Sequence, residues 1–126
     1  MILVRSLGMV ALVASLAGMA AAAEVKGILI DRKCSGKAEV RVLSSGIQGG
    51  LIVAEAHTRE CALMPDCEKS GYGVFTYDNK FLSFDAAGSR KAAAAIKASK
   101  KLDDLEVVVT GEVKGDTIKV ESLKLL

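Results

Sequence analysis

The chain has little of what announces an enzyme or a nucleic-acid binder. Its 126 residues contain one histidine, one proline, no tryptophan and five aromatic residues. One histidine leaves no second imidazole for a separate acid or base role. There is no C-x-x-C pair for disulfide exchange, no C-x-x-C-H for haem attachment and no G-x-S-x-G nucleophile elbow. Gly71-Tyr72-Gly73 leads into a strand pattern rather than a helix, so it is no phosphate loop. Charge of one sign is missing as well. The 17 basic and 15 acidic side chains give a net charge of +2, too weak a field to mark a nucleic-acid or anionic-membrane partner. Repeats, low-complexity tails and long linkers are absent, and the length leaves room for a single core. An enzyme is not expected. A binding or structural module, for a small ligand, a metal or another protein, is compatible with all of these absences.

What is present begins at the N-terminus. Arg5 stands in a short leading region, an apolar stretch runs from about Leu7 to Ala17, and Ala21-Ala22-Ala23 meets the A-x-A cleavage pattern. Residues 1–23 therefore read as a secretory signal peptide, with the cut before Glu24 and residues 24–126 as one domain. The apolar stretch is shorter than the ~20 residues of a membrane span, so no span is expected after cleavage. No cysteine lies near the cut, which removes acylation as a lipoprotein. The expected location is the periplasm or the medium. A domain of the remaining size buries a modest core, which a disulfide or metal usefully supplements.

The rest of the chain alternates strand and helix signals. Glu24 to Ile30 is a strand with Gly27 as an expected bulge or bend, and residues 37–50 read as a Gly- and Ser-rich excursion. Leu51 to Met64 favours one helix closed by Pro65, with a further turn over Pro65–Ser70 that Gly71 ends. Tyr72–Tyr77 and Phe81–Phe84 form a hairpin that holds all five aromatic residues, which core burial explains better than a ligand platform. Ser89 to Lys100 is a helix with Ser89 as its expected cap and Lys91, Lys97, Lys100 and Lys101 as a wet face. Leu105–Thr110 and Thr117–Leu123 alternate as half-buried strands, joined by residues 111–116. Five short strands with a helix before the last pair give a mainly β domain with one or two short helices. A small five-stranded OB-like barrel is the expected architecture, with an open α+β sandwich as the alternative.

One constellation carries chemistry. All three cysteines and the only histidine, Cys34, His57, Cys61 and Cys67, fall in one part of the domain. His57 and Cys61 are four apart, which on a continuous helix puts them on one face. The leading reading is a disulfide staple pairing two of the three cysteines, which suits an exported small domain but leaves an odd thiol. The alternative is a metal site: three thiolates and one imidazole make a tetrahedral Zn²⁺ set, and thiolates also suit Cu(I). No other cofactor is expected. A third reading, with His57 activating Cys61 as a nucleophile, lacks further machinery. Asp31, Glu60, Asp66 and Glu68 flank the cluster as candidates to orient His57.

These residues also carry a resemblance. A first strand ending in Asp31-x-x-Cys34, then His57-x-x-x-Cys61-Ala62, Cys67 and Ser70-Gly71 resembles small exported bacterial proteins of unassigned function. The final Val107-x-Val109-Thr110-Gly111 and Gly115-Asp116-Thr117-Ile118-x-Val120 is similar to the last strands of bacterial OB-fold domains. The resemblance implies the barrel and a shared Cys/His site, and it supplies no activity. The Gly-rich stretch from Ser44 to Gly50 is extra relative to that outline.

Overall fold

The computed structural model describes residues 22–36 and 47–126. The expected signal peptide lies outside the described residues except for its last two, and so does most of the 37–50 excursion. The strands are β1 (Ala23–Asp31), β2 (Tyr72–Thr76), β3 (Phe81–Phe84), β4 (Glu106–Lys114) and β5 (Thr117–Leu125). The helices are α1 (Ile47–Ala56), α2 (Arg59–Ala62), α3 (Pro65–Ser70) and α4 (Ala86–Ala98), and the chain is also helical over 32–36. Among the described residues no helix is long and apolar enough to cross a membrane.

The five strands form one sheet that closes on itself in the order β1-β2-β3-β5-β4. β1 closes it by pairing antiparallel with two partners in turn. Its first part lies against β4, from Ala23↔Gly111 to Ile28↔Glu106, and its second against β2, from Gly27↔Thr76 to Asp31↔Tyr72. Gly27 stands where both pairings overlap, and a Cβ there would meet the Phe75 carbonyl at 2.3 Å. The expected bulge at Gly27 is therefore a close backbone approach instead. The register shifts between Thr110↔Ser122 and Gly111↔Val120, which leaves Glu121 of β5 as the extra, unpaired residue of a bulge.

Burial follows the strand period. Leu29, Tyr72, Val74, Leu82, Phe84, Leu105, Val107, Val109, Ile118 and Val120 fill the interior with Ala92, Ala93 and Ile96 of α4. The opposite face of β1 is buried too: Ile28 and Ile30 pack with Phe75 and with Ala54 of α1. This second layer explains why the end of β1 is apolar on both faces and reads as a continuous run rather than an alternation. The aromatic hairpin is core as expected, with Tyr72, Phe75 and Phe84 fully buried and Tyr77 exposed at its tip.

Four boundaries differ from expectation. α1 already includes residues 47–50, which the sequence pattern assigns to the excursion. The helix expected over Leu51–Met64 is two helices, because His57-Thr58 leaves the helical path and Thr58 caps a new one by accepting from the Cys61 N–H at 3.1 Å. α4 starts earlier than expected and is capped by Asp85, not Ser89. The Asp85 carboxylate accepts from Gly88 N at 3.0 Å and from Val120 N at 3.2 Å, so one side chain caps the helix and ties it to β5. Ser89 instead accepts from the Tyr72 N–H at 3.0 Å. β4 runs on to Lys114, which reduces the expected 111–116 connection to a tight turn at Gly115-Asp116.

Candidate metal centre

The site is built at the end of β1, where the strand delivers Asp31 among Cys34, His57 and Cys67. Asp31 is fully buried. Its Oδ2 accepts from the Cys34 N–H at 3.0 Å, so the Asp31-x-x-Cys34 spacing is that of a cap on the helical turn that follows. Its Oδ1 stands 2.7 Å from His57 Nε2. This is a close polar contact with poor hydrogen-bond direction, and His57 Nδ1 is buried with no hydrogen-bond partner among the described residues. Burial alone pushes the Asp31 carboxyl up. Contact with His57 and the bonds from Cys34 outweigh it, holding the carboxyl below its ordinary value.

Cys67 approaches from the other side on α3. Pro65 starts that short helix and Gly71 ends it at φ 83°, a conformation that a side chain would strain. Ser70 then fastens α3 to the turn that carries Cys34. Its hydroxyl donates to the Cys67 carbonyl at 2.6 Å and accepts from the Lys33 N–H at 3.2 Å. Arg32 N donates to the Gly71 carbonyl at 2.9 Å alongside. The outcome is a group of three donors: an Asp31 carboxylate oxygen and the Sγ atoms of Cys34 and Cys67 all lie within 4.8 Å of one another. Cys67 is buried and Cys34 half-buried. Burial, and then the Asp31 charge, push the Cys67 thiol up.

The four residues singled out by sequence thus divide. Cys34 and Cys67 come together, and His57 joins them through Asp31 rather than by standing among the three donors. Cys61 does not join. The new cap at Thr58 restarts the helix, so Cys61 no longer shares a helical face with His57 and is exposed on α2. α2 is held elsewhere, by Arg59 donating to the Ile96 and Lys97 carbonyls at the end of α4 and by Tyr72 Oη donating to the Ala62 carbonyl at 2.5 Å. No two cysteines stand at disulfide distance. Of the flanking acids only Asp31 reaches the cluster. Asp66 pairs with Lys33 at 3.7 Å and Glu68 with Lys97 at 2.9 Å, both near the surface. The sequence shows Asp31 as one of four flanking acids and as the start of the Asp31-x-x-Cys34 pattern, but not as a donor; Asp-x-x-Cys directly after a strand is a capping signal that marks it out.

Compared with known proteins, the chain matches no family model, no curated protein and no solved structure.

Proposed function

We propose that this chain is an exported, OB-like binding module that holds a thiophilic metal ion, zinc or copper, between Asp31, Cys34 and Cys67. The observation that carries this reading is the three-donor group itself: one carboxylate oxygen and two sulfurs within 4.8 Å of one another, two of the three residues buried. Two thiolates and a carboxylate suit Zn²⁺, and thiolates suit Cu(I). The Cys34 N–H orients the carboxylate through Oδ2, and His57 packs behind the donors with Nε2 2.7 Å from Asp31 Oδ1. Three protein donors leave one tetrahedral position for a water or an incoming ligand.

The barrel and the export rest on separate supports. The strand order, the parallel contact of β3 with β5 and the helix between β3 and β4 favour the OB-like reading over an open sandwich. Export rests on residues 1–23 alone. A cut before Glu24 would cost β1 one paired residue, Ala23. The role is binding rather than catalysis, with neither nucleic acid nor a membrane span among its partners.

A disulfide between Cys34 and Cys67 is the second reading, favoured by the same proximity of the two sulfurs. Closing that loop of roughly 30 residues would contribute about 4 kcal/mol. The intact native mass of the protein, purified without added metal or reductant, separates the two. An excess equal to one zinc or copper ion, lost on acidification with the thiols then reactive, is the expected result. Cys61→Ser should keep the metal and Cys67→Ser should lose it. A native mass lighter by two hydrogens, with no metal, would replace the metal centre with the staple.

A further inference from the structure

The two readings of Cys34 and Cys67 need not exclude each other. Ser70 clasps the backbone beside both cysteines, to the Cys67 carbonyl at 2.6 Å and to the N–H of Lys33 at 3.2 Å. The segments that carry the sulfurs are thereby held in register whatever the sulfurs bind. A disulfide needs an S–S length of about 2.05 Å, and the sulfurs already lie within 4.8 Å. Exposure differs between them: an external reagent meets the half-buried Cys34 before the buried Cys67.

We infer that Cys34 and Cys67 form a redox-controlled metal latch, in which an external low-molecular-weight disulfide oxidises the pair and thereby releases the ion. The inference rests on the metal reading above. Chemically, the Cys34 thiolate attacks one sulfur of the external disulfide R–S–S–R, forming a Cys34–S–S–R bond and expelling R–S⁻. Cys67 then attacks the Cys34 sulfur, forming the Cys34–Cys67 bond and expelling the second R–S⁻. Cys34 and Cys67 carry no protons while they hold the ion, so the two leaving thiolates take up two protons from the solvent. The pair is oxidised by two electrons, R–S–S–R is reduced to two R–SH, and the ion departs because both thiolate donors are gone. Asp31 and His57 alone make a poor site for a thiophilic ion. Cys61 stands outside the latch and takes no part in it.

The test uses the full-length mature protein carrying Cys61→Ser, which removes the exposed thiol. The reduced protein is loaded with zinc, then treated with oxidised glutathione, while free zinc, intact mass and circular dichroism are followed together. The expected result is loss of one equivalent of zinc for each molecule that becomes lighter by two hydrogens, with the fold retained and zinc taken up again after dithiothreitol. Retention of zinc with both thiols reduced would overturn the latch and leave the metal reading standing. Release of zinc with a persistent glutathione adduct and no internal disulfide would overturn it as well, since Cys67 would not be the resolving thiol. A reduced protein that takes up no zinc at all would overturn the metal reading, and the latch with it.

Discussion

The closed sheet and the described parts of the insertion between β1 and β2, residues 32–36 and 47–71, are built on different principles. In the sheet, position is set by apolar period and by pairing. Leu29, Val107, Val109, Ile118 and Val120 meet because each strand turns one face inward. In the insertion, position is set by caps and single side chains: Asp31 on the turn at 32–36, Thr58 on α2, Ser70 between α3 and that turn. The first arrangement is redundant, since many residues share the work. The second depends on few bonds, and the chemistry-bearing residues sit in it. A framework held by many contacts thus presents a site held by few.

The largest break in this comparison is expected from the sheet. Phe84 is almost fully buried, and Phe84→Ala should cost about 3–5 kcal/mol in urea unfolding. The site should be lost with the fold and not before it. If metal uptake by the folded fraction fell while stability held, the division between framework and site would be wrong.

His57→Ala should come next, at about 1–3 kcal/mol, because it leaves a buried carboxylate without its contact. It should also have a pH signature. Asp31 titrates lower in the folded chain than in the unfolded one, so the unfolded state holds more protons through that window. The stability Asp31 contributes is present above its unfolded value of about 3.9 and lost as pH falls through the folded one. Metal-free, reduced protein unfolded in urea from neutral to acid pH should show wild type and His57→Ala converging as the carboxyl protonates. A constant gap at every pH would mean that His57 contributes packing alone.

The smallest effect sharpens the comparison at its boundary. Asp85→Ala should cost about 1 kcal/mol as a lost helix cap, and more than Ser89→Ala, which removes one acceptor from the Tyr72 N–H. Thermal melts of the two variants decide it, and equal losses would reinstate Ser89 as a capping residue.

Legibility in the sequence follows the same division. The alternations at Leu105–Val109 and Ile118–Val120 and the aromatic hairpin identify four strands, because a half-buried strand writes its period into neighbouring residues. The insertion does not write itself in that way. Between Leu51 and Met64 no glycine or proline marks the break after Ala56, and the only signal is Thr58 with Glu60 in the turn beyond it, a cap inside an otherwise helical composition. That one unread cap turned Cys61 from an expected ligand into an exposed side chain. The Asp85 cap was hidden for a related reason: it directly follows β3, where a carboxylate reads as the end of a strand. Asp31, the centre of the site, has no partner within reach in sequence except the N–H of Cys34. Its contact with His57 exists only once the ring and α1 are in place.

β1 has one further consequence. It is the first strand of the described chain, yet its partner over Ala23–Ile28 is β4, which lies near the other end. A chain emerging in sequence order has β1 in hand from the start and nothing to complete it until Glu106–Gly111 appears. Contacts of such long separation form slowly. The architecture therefore postpones its own closure until nearly the whole chain is available.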